Sequence, residues 1–190
     1  MNVGMVLLTG GRGTRMGTPK HNLLHPDGST WGNYLVSVFQ AVFPDGPVQV
    51  LGEALVDRPD LPVLDDPRQG PVVALKRWAA APAPVVDLWW VVACDQVRWC
   101  AADLRSWVSL AQGIDPKHLH WVVGTFDGHL QPLGGLLPHH LRPALAMTEA
   151  RSLLALVEGL PHRVLSNDLP GWRDIDTSAD RALFKVEQSE

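Results

Sequence analysis

The sequence predicts an α/β sandwich with a mostly parallel sheet. Three observations carry this reading. Short apolar runs alternate with stretches of helical spacing through the first two thirds of the chain. One run, Asp87–Ala93 (DLWWVVA), is apolar on both faces, the habit of a central parallel strand. Glycines crowd the end of the first run, at the strand ends where such sheets bind their ligands.

Element by element, Val3–Thr9 reads as a buried strand closed by glycines. Trp31, Tyr34, Leu35, Val38, Phe39 and Val42 fall on one helical stripe, with Ser29 or Thr30 as the cap. Pro47–Leu51 and Leu61–Leu64 are strands, and 70–81 is a helix stopped by Pro82 and Pro84. Asp87–Ala93 follows, with Trp89 and Trp90 on opposite faces. Ala101, Leu104, Trp107, Val108 and Ala111 mark another helix. Leu119–Val123 is a strand, with His118 and His120 sharing a face, and Gln131–Leu137 is a second one, weakened by Gly134 and Gly135. Leu153, Leu156, Val157 and Leu160 give a helix and Arg163–Leu165 a short strand. T-S-A-D from Thr177 is close to a capping box and opens the last helix.

The chain has 190 residues with no repeat, no low-complexity stretch and no linker, so 1–190 reads as one domain. At 46% hydrophobic and 19% charged it is too apolar to be disordered. A net charge of −4, from 16 basic and 20 acidic residues, offers no general grip on nucleic acid. No apolar run approaches the roughly 20 residues of a membrane span. Met5–Leu8 lacks a charged lead-in, so no signal peptide is expected. Two cysteines make no disulfide framework, and a cytoplasmic protein with reduced thiols is expected. The eight histidines show no zinc spacing, and the eight tryptophans read as packing rather than as a cage.

Chemistry concentrates after the first strand, in Leu7-Leu8-Thr9-Gly10-Gly11-Arg12-Gly13-Thr14-Arg15-Met16-Gly17-Thr18-Pro19-Lys20. Glycines bring backbone N–H groups close to an anion, and Arg15 and Lys20 add positive charge. The bland alternative is a glycine loop with solvated charges. It is not a P-loop, because Thr-Pro-Lys follows Gly17, and Met16 stands where a dinucleotide fingerprint needs glycine. Asp65-Asp66 close the third strand before Gly70-Pro71, either as a ligand site or as an Asp-Pro turn. Asp95 ends the buried fourth strand, where a carboxylate needs a partner. That partner is a hard cation bridging phosphates, or the start of the helix near Ala101. Cys94 beside it reads as a small buried apolar residue.

The run L-T-G-G-x-x-T-R-M-G-x-x-K resembles the signature of the MobA-like nucleotidyltransferases. That family includes molybdenum cofactor guanylyltransferases and cytidylyltransferases and, more distantly, sugar-phosphate and isoprenoid enzymes. The resemblance continues in Lys20-His21-Asn22-Leu23, in Asp66 with Gly70-Pro71-Val72, and in Cys94-Asp95. It then runs through Gln131-Pro132-Leu133, Arg151-Ser152-Leu153, and Trp172-Arg173-Asp174-Ile175-Asp176-Thr177. It implies a three-layer α/β/α, Rossmann-like nucleotidyltransferase fold of the glycosyltransferase-A kind. It implies GTP as donor and molybdopterin as acceptor, with Mg²⁺ on Asp95 and no nucleic-acid or membrane partner. A monomer in transient contact with other molybdenum cofactor proteins is expected.

The nucleotide would be held by Leu8, Thr9, Gly10, Gly11, Gly13, Thr14, Lys20, Asp66, Gly70 and Asp95, with Arg15, Lys20 and Asp95 in the catalytic role. Asp174 and Asp176 would lie at the acceptor or a second metal, or else form only a strand end and a helix cap. Thr9, Ala74, Asp174 and Asp176 depart from the family's usual residues. Ala74 is expected to crowd the nucleotide pocket, and the two aspartates to add negative charge near the acceptor. The alternatives are a cytidylyltransferase, a sugar-phosphate enzyme, or a GTP-binding module without turnover.

Overall fold

Val3–Leu8 (β1) is fully buried, so its backbone groups need partners on both sides. It finds them in Val48–Leu51 (β2) and Leu88–Ala93 (β4), both parallel to it. The computed structural model describes residues 1–10, 18–167, 169–175 and 177–187. Among these the sheet has seven strands, adding Val63–Leu64 (β3), Trp121–Phe126 (β5), His129–Pro138 (β6) and His162–Ser166 (β7). Their order is β3-β2-β1-β4-β6-β5-β7. The sheet is mixed but mostly parallel: β6 alone runs antiparallel, to β4 on one side and β5 on the other. The central strand β4 therefore has one parallel and one antiparallel neighbour.

The six helices are Trp31–Gln40 (α1), Pro71–Ala80 (α2), Ala101–Ile114 (α3), Arg142–Met147 (α4), Leu153–Glu158 (α5) and Ser178–Glu187 (α6), counted among the described residues. One layer packs α1, α3 and α6 on the face that carries Trp90. The other packs α2, α4 and α5 on the face that carries Trp89. The two tryptophans thus sit on opposite faces of β4, as the period of a strand requires.

The caps explain the helix starts. The Thr30 hydroxyl accepts from the Asn33 N–H, so Thr30 rather than Ser29 caps α1. Ser152 caps α5 in the same way. Thr177 and Asp180 exchange hydrogen bonds of 2.9 and 3.1 Å, a capping box for α6. Cys100 caps α3 through its sulfur, which removes the reading of Asp95 as that helix's cap.

Three expectations need correction. His118 does not share a strand face with His120: it sits at φ +51° in the turn before β5, which starts at Trp121. β6 runs His129–Pro138, longer than the 131–137 expected, and its pairing with β4 stops at Gly135. Helix α4 was not expected; its Pro143 lies in the first helical turn, where proline forfeits no needed donor. The α4 residue Arg142 is buried and donates to the Trp78 and Ala81 carbonyls at 2.9 and 2.7 Å. It thereby caps the C-terminal end of α2.

All eight tryptophans are buried. Four meet edge to face in a chain, Trp90–Trp99–Trp172–Trp107, with centroids 4.8–5.7 Å apart. Trp172 lies against Gly124 and Gly134, where a Cβ would stand 2.3 and 2.5 Å from its ring. Gly134 also needs its freedom, at φ +90°. This seat fixes the chain that follows Trp172 across the end of β4.

Candidate functional site

The site forms where β1 and β4 end side by side, with β2 and β3 to one side of β1 and β6 beyond β4. The Cys94 N–H donates to the Leu8 carbonyl (3.0 Å), and the Thr9 N–H to the Leu51 carbonyl (3.0 Å). Gly10 emerges exposed beyond them. Leu8 turns its side chain into the core, so only its backbone is available to a ligand. The Thr9 hydroxyl is occupied internally. It donates to the Glu53 carbonyl at 2.8 Å and accepts the Glu53 N–H at 2.7 Å. This ties β1 to the bend after β2, with the hydroxyl donating and accepting within the fold.

The residues expected at Gly11, Gly13, Thr14, Arg15 and Asp176 lie outside the described residues. Lys20 is described: it opens a 3₁₀ turn, Lys20–Asn22, that tucks His21 into the core. Burial pushes the His21 imidazole below its ordinary value, partly offset by Glu53, whose carboxylate is 3.8 Å away, and by the Thr9 carbonyl. With His21 turned inward, Lys20 reaches across the cleft. Its Nζ donates to Asp95 Oδ2 at 2.9 Å, over a sequence distance of 75 residues.

Asp95 follows Cys94, whose thiol is pushed up by burial and by the Asp95 and Asp174 charges, with Lys20 opposing. That thiol is no nucleophile. Asp174 is carried to the same place by the strand-like segment after Trp172, where the Ile175 N–H donates to the Asp95 carbonyl at 3.2 Å. The Asp174 charge is thus near enough to the end of β4 to bear on the Cys94 thiol, as the Asp95 charge does. Among the described residues no group of three or more His, Cys, Asp or Glu gathers as a metal cage. One or two carboxylates completed by phosphate oxygens and water is the donor set Mg²⁺ ordinarily takes, so the residues present fit a hard divalent cation.

Asp66, not Asp65, faces the end of β1. A Cβ on Gly10 would stand 1.9 Å from Asp66 Oδ2, so any side chain there would have to displace the Asp66 carboxylate. Asp66 Oδ1 accepts the Arg68 N–H at 2.9 Å, and the Arg68 side chain reaches Glu53 at 2.7 Å. Asp65 points outward to Arg77. Gly70, at φ +99°, opens α2 and leaves its first N–H groups uncapped by any side chain. Gly70, Lys76 and Arg151 line a cleft of about 600 Å³. Gln96, Gln131 and Asp174 line another of about 350 Å³. Ala74 lines neither: it is on the face of α2 that is buried in the core.

Sequence reading missed Glu53, Arg68 and Gln96. The signal for Glu53 was its place two residues past a strand end, next to Gly52. Gln96 offered only a polar residue shortly after a buried strand, too common a pattern to single out.

No curated protein matches the chain significantly. Solved structures match its fold along nearly its whole length. Rv0371c from Mycobacterium tuberculosis H37Rv is 23% identical, with a TM-score of 0.70 over 97% of this chain and 98% of that one. A manganese complex of the same protein is also similar (20% identity, TM-score 0.66, 98% of this chain and 99% of that one). Molybdopterin-guanine dinucleotide biosynthesis protein A from Archaeoglobus fulgidus is 16% identical, with a TM-score of 0.71 over 100% and 99%. The 2-C-methyl-D-erythritol 4-phosphate cytidylyltransferase from Thermus thermophilus is 16% identical, with a TM-score of 0.66 over 100% of both chains. These likenesses establish a shared nucleotidyltransferase fold, and the family model for the MobA-like NTP transferase domain matches residues 5–168. The chain belongs to the MobA-like NTP transferase domain family.

Proposed function

We propose that this chain transfers GMP from GTP to the terminal phosphate of molybdopterin and releases pyrophosphate. The observation that carries the reading is the Lys20–Asp95 pair at the β1–β4 junction, with Gly10 exposed just past the end of β1. A cation and a carboxylate at the carboxyl ends of adjacent parallel strands are what a metal–triphosphate needs from a sheet of this kind.

In the reaction an acceptor phosphate oxygen attacks the α-phosphorus, and the bond to the β-phosphate bridging oxygen breaks. A phosphate monoester has a second pKa near 6 and is already largely a dianion at neutral pH, so no general base is required. The chain's work is positioning and charge neutralisation. Lys20, with Arg15 five residues before it in sequence, takes the β- and γ-phosphates as charge moves onto pyrophosphate. Gly10 lets the triphosphate approach the backbone. Asp66 and Gly70 hold the nucleoside. Asp95, with Asp174 beside it, would hold Mg²⁺, which when bound neutralises phosphate charge and aligns acceptor and donor. The chain works as one domain of 190 residues, in the cytoplasm.

A thermal-shift screen of the four nucleoside triphosphates with Mg²⁺, followed by pyrophosphate release with acceptor, tests the reading. GTP is expected to give the largest shift and the higher kcat/KM. The acidic Asp174 favours a second reading, transfer of CMP from CTP. Equal or better use of CTP would establish that reading and leave the phosphate and metal roles standing.

A further inference from the structure

The turn after β4, residues 93–96, carries Asp95 and is tied at four points. The Gln96 N–H donates to the Ala93 carbonyl (3.1 Å), the Cys94 N–H to the Leu8 carbonyl (3.0 Å), and the Ile175 N–H to the Asp95 carbonyl (3.2 Å). The fourth tie is the Gln96 side chain, which is 1% exposed. Its Oε1 accepts the Ala93 N–H at 3.2 Å, and its Nε2 donates to the Leu133 carbonyl at 3.1 Å.

Strand pairing explains why this bridge exists. β6 pairs with β4 from Pro138 back to Gly135, opposite Val91, and there the ladder ends. Gly134, at φ +90°, turns β6 away, and the Trp90 indole donates to the Gly134 carbonyl at 3.0 Å. The Ala93 N–H and the Leu133 carbonyl are then left facing a gap between splayed strands. A buried backbone group without a partner is costly. A carboxamide presents an acceptor and donors, as a peptide unit does, and Gln96 spans the gap in place of the missing rung. Asp95 is the residue immediately before it.

We propose that Gln96 is a positioning residue for Asp95: its carboxamide locks the turn so that the Asp95 carboxylate is presented to Lys20 and to the incoming cation and phosphates. The inference rests on the nucleotidyl-transfer reading for its purpose, and on the hydrogen bonds alone for the locking. Gln96→Met keeps the length and loses both side-chain bonds. Gln96→Asn keeps the carboxamide and is one methylene too short to span the gap.

Amide hydrogen exchange and steady-state kinetics test it together. Exchange of the Ala93 N–H is expected to accelerate in both variants while the Val91 and Leu7 amides stay protected. Turnover is expected to fall by about 10- to 100-fold, the usual cost of removing support behind a metal ligand, with KM for the nucleotide within about twofold of wild type. In an Asp95→Asn background, Gln96→Met is expected to add no further loss of turnover, because the residue acts through Asp95. Losses that multiply in the double variant, or an unchanged Ala93 exchange rate, would overturn the proposal. Absence of pyrophosphate release by wild type with every triphosphate would instead refute the functional reading, and Ala93 exchange alone would then decide whether Gln96 locks the turn.

Discussion

Replacing Lys20 with methionine separates two roles of one ion pair. Unit charges 2.9 Å apart attract by about 6 kcal/mol at an effective dielectric constant near 20. Desolvation and side-chain entropy cancel most of that, and fully exposed pairs net about 0–1 kcal/mol. The Lys20 and Asp95 side chains are only 19% and 20% exposed, which places the net contribution at about 1–2 kcal/mol. At about 2–4 °C per kcal/mol for a chain of this size, Lys20→Met should lower Tm by roughly 2–8 °C.

The ligand effects should run in opposite directions. Without nucleotide, Mn²⁺ affinity should rise by about 5- to 30-fold, the equivalent of 1–2 kcal/mol, because a cation competing for Asp95 is gone. GTP affinity should fall by about tenfold or more relative to guanosine, since a hydrogen bond to a charged group is worth about 1.5–3 kcal/mol. Calorimetry at fixed ionic strength measures all three ligands. Weaker or unchanged Mn²⁺ binding would mean that Lys20 and the metal do not share Asp95. Equal losses for GTP and guanosine would mean that Lys20 does not touch phosphate.

Asp95→Asn should leave the circular-dichroism spectrum unchanged and lower pyrophosphate release by about 100-fold or more. Near-normal turnover at saturating divalent cation would refute its role. Gly134→Ala combines left-handed backbone strain of about 1–2 kcal/mol with overpacking against Trp172 of about 1–3 kcal/mol, so urea unfolding should show a loss of about 2–5 kcal/mol. A loss below about 1 kcal/mol would contradict the seat described for Trp172. Burial lowers the imidazoles of His21, His25 and His139 below their ordinary value of 6.5. Their neutral forms favour the fold above 6.5, and that contribution is lost as pH falls through the lowered folded values, because the unfolded chain binds protons first. Tm should therefore fall from about pH 7 to 5, and a flat profile would show that these rings are not held neutral.

Much of the fold was legible because local physics governs it. The short apolar runs at Val3–Leu8 and Leu88–Ala93 read as buried strands, and the stripe from Trp31 as one face of a helix, and the structure has them so. Thr30 and Thr177 announced their helices because a cap is read within a few residues. Lys20 stood out as a cation in the glycine-rich run after β1, and Asp95 as a carboxylate at the end of a buried strand. Proximity across the fold was not legible. Nothing local relates Lys20 to Asp95, Gly10 to Asp66, or the Asp174 segment to Cys94: strand order and the Trp172 seat bring each pair together.

The same limit applies to partners. A hydroxyl at Thr9 reads equally as a phosphate ligand or an internal strut, and only the fold brings the backbone of Glu53 to it. Arg142 reads as a surface charge until the carbonyl ends of α2 are placed against it. Gln96 reads as nothing in particular until β6 splays from β4 and leaves a gap of one carboxamide's width. Sequence by itself determines what each segment prefers and which residues bear charge, because those follow from covalent chemistry and periodicity. The tertiary structure decides which preferences are satisfied by which distant partner, because a buried polar group takes whatever complement the packed chain brings within hydrogen-bond reach.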